Sequence, residues 1–144
     1  MGRYERNMPA ISQEEQALLA TKRVVVVGCG GLGGYIVEQL ARIGVGHITV
    51  VDGDVFVESN LNRQLFSTEN NLGQPKPLSA VQRIGTVNSE VSIKPVCEKL
   101  TEQNAEQIIA GHDVAVDALD NGVSRIILAA AARKVGIPLV SGAI

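Results

Sequence analysis

Tryptophan is absent from this chain and aromatic residues make up only 3% of its 144 residues, so the core has to be assembled from Val, Ile, Leu and Ala. Cysteine is nearly as scarce. Cys29 and Cys97 are too few for a disulfide scaffold, and they form no C-x-x-C pair that would mark a zinc site. Their setting reads as a reducing, cytoplasmic one. No uninterrupted apolar run approaches the ~20 residues of a membrane span, and the charged N-terminal segment lacks the apolar core of a signal peptide. Nor do Lys and Arg cluster. With a formal net charge of −2, the composition gives no reason to expect a nucleic-acid surface. The expectation is one soluble domain, long enough to bury a real core.

What the chain does contain is alternation. Short apolar runs trade places with helical patterns, the arrangement of a parallel α/β sheet. "RVVVV" (23–27) is continuously β-branched, as a strand covered on both faces should be. "HITVV" (47–51), "VSIKPV" (91–96), "DVAVDA" (113–118) and "PLVSG" (138–142) supply four further strands, with Pro95 favouring an edge or a strand end. Helices are expected in "YIVEQLARIG", from Gln74–Pro75 through "LSAVQRI", in "EQNAEQIIAG" and in "SRIILAAAARKVG". Right-handed crossovers then predict a doubly wound, mostly parallel Rossmann-like sheet of order 3-2-1-4-5 over residues 23–144. Residues 1–22 read as an N-terminal helical arm, appended to the βα units rather than built into them.

The first βα turn carries Gly28-x-Gly30-x-x-Gly33, with Gly31 between, in the strand-to-helix setting that a nucleotide fingerprint requires. Glycines there permit a tight turn and close approach of backbone to phosphate, and the helix N-terminus offers free N–H donors. Asp52 follows Gly33 by 19 residues, at the end of the second strand, where a carboxylate can accept hydrogen bonds from ribose hydroxyls. A structural turn is the plain alternative, but strand, helix and spaced acid together favour a nucleotide.

The stretch after the second strand, "DGDVFVESNLNRQ" (52–64), decides which nucleotide. A dinucleotide domain has little use for Asn60, Arg63 and Gln64 in that loop, beside Asp54 and followed by Lys76 at the next helix start. A triphosphate does, with Arg63 as a charge-assisted donor. Asp120, read as ending the fourth strand beside the switch point, is the candidate ligand for Mg²⁺, which one carboxylate plus phosphates commonly hold. Each residue has a blander role open to it. Asp120-Asn121-Gly122 can be a turn and helix cap, Lys76 a solvated charge, and Arg63 a partner of Asp52 or Asp54. Their convergence on one edge of one sheet is what carries the expectation. It also disfavours an NAD-dependent oxidoreductase.

Taken together, "GCGGLG", "DGD", "NLNRQ", "GQPK" and "DALDN" resemble the ThiF/MoeB/HesA group, bacterial relatives of ubiquitin-activating enzymes. The likeness covers essentially the whole chain, including "RYER" near its start. It implies adenylation, with Mg-ATP, of the C-terminal glycine of a ubiquitin-like sulfur-carrier or modifier protein ending in Gly-Gly. It also implies a homodimer. On this resemblance Asp52 holds the ribose, Asn60, Arg63 and Lys76 grip the phosphates, and Asp120 binds Mg²⁺. Gly28, Gly30, Gly31, Gly33, Asp54, Gln64 and Asn121 are the further nucleotide contacts. Arg6 is the arginine that such dimers donate into the neighbour's site. That chemistry needs no general base, so His47 and His112 are expected to be structural or exposed, and Cys29 a small packed residue.

There are departures. Family members run on past the fifth strand into a second half that brings the carrier surface and, often, a zinc-binding C-x-x-C pair. This chain stops at "VSGAI". Pro77 beside Lys76 and Gly85 within the next helix are unusual for the family. Two other functions share the motifs: a dehydratase acting on threonylcarbamoyl-modified adenosine in tRNA, and a non-catalytic nucleotide-binding or dimerisation module.

Overall fold

Successive residues of the Val24–Val27 run point to opposite faces of a sheet, and this divides the core in two. In the computed structural model, which describes residues 2–142, Val24 and Val26 pack on one face and Val25 and Val27 on the other. All four are at most 7% exposed, which is why the strand needs no polar alternation. The sheet is parallel throughout, with β1 (Arg23–Val27), β2 (His47–Val51), β3 (Ser92–Val96), β4 (Val114–Asp117) and β5 (Leu139–Ser141) in the order β3-β2-β1-β4-β5. This is the predicted order. Pro95 sits on the edge strand, one residue from its end.

Helices α2 (Gly33–Ile43) and α3 (Lys76–Val87) cover the first face, burying Val37, Ala41, Ala80 and Ile84 with Phe56 and Phe66 of the long loop. Helices α4 (Ala105–Ile109) and α5 (Gly122–Val135) cover the second through Ile109, Leu128, Ala131 and Ala132. The chain thus winds to one side of β1 and to the other side of β4, which opens a crevice between them. Helix α4 is shorter than its pattern predicts. Thr101 and Asn104 exchange backbone-to-side-chain hydrogen bonds, which holds the chain in a turn before the helix begins. Pro77 is harmless where it stands, in the first turn of α3, where a missing N–H leaves no bond unmade. No helix among the described residues is long and apolar enough to cross a membrane.

The N-terminal arm is not the appendage its sequence suggests. Helix α1 (Gln13–Leu19) starts with a capping box between Ser12 and Glu15 and buries Gln16. The Gln16 side chain donates to the Ile43 carbonyl at 2.8 Å and accepts from the Asn7 amide at 2.7 Å, so the arm satisfies a carbonyl left open at the end of α2. Asn88, 2% exposed at the end of α3, donates to the Ala41 carbonyl and to the Tyr4 hydroxyl and accepts from Arg3. A side chain at Gly44 (φ +98°) would collide with Gln16 and Tyr4, so the arm seats directly on that left-handed helix terminus.

Between α2 and α3 lies a buried carboxylate that the hydrophobic pattern gives no hint of. Glu38 is 5% exposed and is gripped by Arg83 (2.9 Å) and Arg42 (2.8 Å). The hydrogen bond from Arg83 holds its carboxyl below the usual carboxylate range; burial opposes this and Arg42 adds to it. A depressed native pKa stabilises the fold fully above the unfolded-state value, and the contribution is lost as pH falls through the native one. Glu38→Gln is therefore expected to cost about 2 kcal/mol in neutral urea titrations. The deficit should shrink as the titrations are repeated at progressively more acidic pH; a pH-independent deficit would assign the effect to packing.

Candidate functional site

The C-terminal ends of β1, β2 and β4 border a cleft of about 750 Å³, a size suited to a small-molecule ligand. The glycine loop forms one wall. Gly28 has φ +100°, and a Cβ there would stand 2.5 Å from the Ala118 carbonyl oxygen. A Cβ on Gly33 would meet the Gly28 carbonyl oxygen at 1.8 Å. Both positions therefore exclude a side chain, and the turn brings Gly30 and Gly31 to the cleft. Helix α2 opens behind Leu32 with no side-chain cap; of its first-turn donors, the Gly34 N–H is taken by the Gly30 carbonyl at 3.2 Å.

Asp52 directly follows β2, with both carboxylate oxygens already engaged. Oδ2 accepts the Cys29 N–H and Oδ1 the Asp54 N–H, each at 2.8 Å. These bonds fix the carboxylate at the cleft and leave one lone pair per oxygen for further donors. Asp54 also borders the cleft, exposed and 4.0 Å from Lys99. Lys76 is not a solvated charge. It is 7% exposed, lies 5.6 Å over the Phe56 ring, and has no carboxylate within 4.0 Å among the described residues. Gln64 is similarly buried at the cleft wall, and its Oε1 has no partner. Arg63 pairs with neither Asp52 nor Asp54. It donates to the Ser59 carbonyl (2.9 Å) and the Asn62 side chain (3.0 Å) on its own loop, at the cleft mouth.

Other expected residues fall differently. Strand β4 ends at Asp117, so Asp120 stands beyond the strand in an exposed turn at the cleft. Asn121 is the N-cap of α5, its Oδ1 accepting the Ser124 N–H at 2.8 Å, while also bordering the cleft. Asn60 does not line the cleft. It is buried, and its Oδ1 accepts the Val57 N–H, which makes it a brace within the long loop. Arg6 is exposed in the arm, whose anchors lie at the C-terminal ends of α2 and α3, away from the chain's own cleft. No cluster of three or more metal-ligating side chains occurs among the described residues.

Two residues escaped the sequence reading, Arg125 lining the cleft and Asp117 buried behind it. Asp117 is 2% exposed at the end of β4, and Arg125 of α5 lies with its Nε 3.1 Å from the Asp117 carboxylate. The signal was the first acid of "DALDN" and an arginine one helical turn beyond Asn121. A buried acid at a strand end asks for a cation.

The histidines keep to structural places. His47 is exposed, and His112 holds its Nδ1 proton toward the Ile109 carbonyl (3.0 Å) while Nε2 accepts from the Thr49 hydroxyl (2.8 Å). Cys29 is packed inside the glycine loop, 1% exposed. Burial pushes its thiol up to about 12, the Asp52 charge adds to the rise, and Lys76 opposes it. At about pH 8, iodoacetamide is expected to alkylate exposed Cys97 and spare Cys29 in the folded protein, and to modify both in urea. Peptide mass mapping reads the outcome; labelling of native Cys29 would mean that the loop opens.

Fold and cleft together define a doubly wound α/β domain of the Rossmann-like class, with its crevice at the topological switch point. More narrowly, the chain belongs to the ThiF family, whose pattern matches residues 4–144. It is 43% identical over 146 residues to the SAMP-activating enzyme E1 of Haloferax volcanii, covering 100% of this chain and 54% of that protein. It is 38% identical over 145 residues to the molybdopterin-synthase adenylyltransferase of Salmonella typhimurium, covering 99% and 58%. Among solved structures, the tRNA N6-threonylcarbamoyladenosine dehydratase of E. coli in complex with ATP superposes with a TM-score of 0.92 at 32% identity, over 96% of this chain and 58% of that one. The chain spans about half the length of the curated relatives it matches.

Proposed function

We propose that this chain provides the ATP site of an adenylyltransferase that activates the C-terminal glycine carboxylate of a ubiquitin-like sulfur-carrier or modifier protein. The observation that carries the reading is Lys76. A buried ammonium without a carboxylate partner is costly, and an anionic ligand in the cleft is what relieves it. Unpartnered Gln64 Oε1, the side-chain-free glycine wall and the anchored Asp52 carboxylate fit a nucleotide on the same surface.

In this reading a carboxylate oxygen of the carrier bonds to the α-phosphorus of ATP. The bond from that phosphorus to the bridging oxygen breaks, and its electron pair leaves with pyrophosphate. Both reactants are anions, so the barrier is partly their repulsion, which Lys76 relieves from a fixed position and Arg63 by turning to the phosphates. No base is needed, because the attacking carboxylate is already ionised at neutral pH. Arg63 exchanges its loop partners Ser59 and Asn62 for phosphate oxygens. Asp120, exposed at the cleft, would be the protein ligand for Mg²⁺, which would neutralise charge on the phosphates. The arm carries Arg6 away from its own cleft, which suits a homodimer in which each arm serves the neighbour's site.

The Salmonella relative, named as an adenylyltransferase, supports the choice of reaction. The structural likeness to a tRNA-modifying dehydratase keeps a second reading in view, in which the same ATP site activates an acyl group on RNA. The net charge of −2 weighs against a nucleic-acid partner for this part of the protein.

ATP–pyrophosphate exchange is expected with a carrier ending in Gly-Gly, and not with tRNA. Arg63→Ala and Asp120→Ala should abolish exchange while circular dichroism stays unchanged. Tight Mg-ATP binding without exchange in the presence of any carrier would instead support a binding module. Lys76→Met gives a separate test by calorimetry and thermal melting. It should weaken ATP by at least about tenfold while raising the melting temperature of the ligand-free chain, since the buried charge is gone. A lower melting temperature would contradict the strained-cation account.

A further inference from the structure

The cations at the cleft are not evenly placed. Lys76 and Arg63 belong to the loop and helix that follow β2, and Lys99 sits beyond β3 beside Asp54. On the opposite side, among the described residues, the cleft-lining cation is Arg125 of α5. The side chain is 29% exposed and braced from below. Asp117 Oδ2 faces its Nε at 3.1 Å and accepts the Ser141 hydroxyl at 3.2 Å, while Asp117 Oδ1 accepts the Leu119 N–H at 3.1 Å. Asp117 is paired in register with Val27 of β1 and Ser141 of β5, so three adjacent strand ends hold the acid that holds the arginine.

A buried ion pair is a poor device for stability alone, because removing two charges from water costs much of what their attraction returns. It is a good device for fixing a guanidinium. The Nε–Asp117 contact is an ion pair, and the guanidinium donates no hydrogen bond among the described residues, so its N–H donors are open to a ligand. The free edge is a planar fork suited to a carboxylate.

Resting on the adenylation reading above, in-line displacement makes the two sides of the cleft unequal. The attacking oxygen and the leaving oxygen lie on opposite sides of the phosphorus. Lys76 and Arg63 attend the leaving pyrophosphate on the β2 side. The side of β4 and α5, where Arg125 stands, is then the one open to the attacking carboxylate. We propose that Arg125 is the substrate-binding residue that receives the carrier's terminal carboxylate, and that Asp117 with Ser141 is its positioning group. Arg125 thereby offsets the repulsion that brings an anion toward a triphosphate and aims one carboxylate oxygen at the α-phosphorus.

The test uses a short synthetic peptide ending in Gly-Gly, with either a free carboxylate or a C-terminal amide, titrated into the chain saturated with Mg²⁺ and a non-hydrolysable ATP analogue. The free acid should bind at least about tenfold tighter than the amide. Arg125→Gln should erase that preference while analogue affinity stays within about twofold. Because Arg125→Gln strands a buried acid, the double variant Asp117→Asn/Arg125→Gln is measured beside it and should likewise show no preference. Asp117→Asn alone should fold and show a weakened one, and Arg125→Lys a partly restored one. A preference that survives in the Arg125 variants overturns the assignment. So does loss of analogue binding in a folded variant, which would place Arg125 on the nucleotide. Failure of the unaltered chain to bind the analogue at all would instead remove the adenylation reading itself, and this inference with it.

Discussion

Helix α2 can seat on the end of β1 only because Gly33 has no side chain, its backbone lying against the carbonyl of Gly28 at a distance no Cβ tolerates. Much of the site follows from that contact. Gly28 turns the chain under the Ala118 carbonyl, which ties the loop to the strand on the far side of the crevice. The Cys29 N–H is thereby aimed at Asp52, which locks the acid of the second strand to the loop of the first. The glycine loop and its acidic partner behave as one hydrogen-bonded unit rather than two motifs that happen to meet.

Around that unit the electrostatics are arranged in two different ways. Glu38 and Asp117 are buried acids with guanidinium partners, so each is neutralised within the fold. Lys76 is a buried cation set 5.6 Å from the centroid of the Phe56 ring, with no carboxylate within 4.0 Å among the described residues. The first arrangement closes on itself; the second is complete only with something added. A cation–π contact of this kind offsets part of the desolvation of an ammonium and none of its charge. Among the described residues, the buried charge left without an ion-pair partner is the one at the cleft.

The sheet order and the placing of the glycine loop were legible because they rest on runs of like residues and on spacing. Four valines in a row have one reading in a parallel sheet, and Asp52 lies where any strand end of that length would put it. What the sequence hid was anything set by a particular hydrogen-bond partner or by where an element stops. Asn60 looks like a polar contact in an unusual loop, and only the Val57 N–H beside it shows that its oxygen is already taken. Asp117 and Asp120 are equivalent letters in "DALDN" until the strand end separates a buried acid from an exposed one. The arm looked separable because its bonds run to Ile43 and Asn88, residues whose carbonyl and amide needs are invisible without the helix ends. Asn121 shows that two readings need not exclude each other, since it caps a helix and borders the cleft at once.

Pro95 gives the sheet a direction of growth. The Ser92 N–H reaches back to Gly46 and the Val96 carbonyl receives the Asp52 N–H, so residues 92, 94 and 96 turn their peptide groups inward to β2. Pro95 therefore faces outward, and the donor it lacks is missing from the solvent side rather than from the ladder. A foreign strand laid along β3 would find a gap in the row of donors and a lysine beside it, the features by which natural edges resist unwanted pairing. At the far flank, the Ala115 N–H bonds to the Pro138 carbonyl and the Gly142 N–H to Asp117, which turns Leu139 and Ser141 outward, and both carry an N–H. Among the described residues the β3 flank is thus closed to strand addition by its edge proline, while the outward donors of β5 are intact.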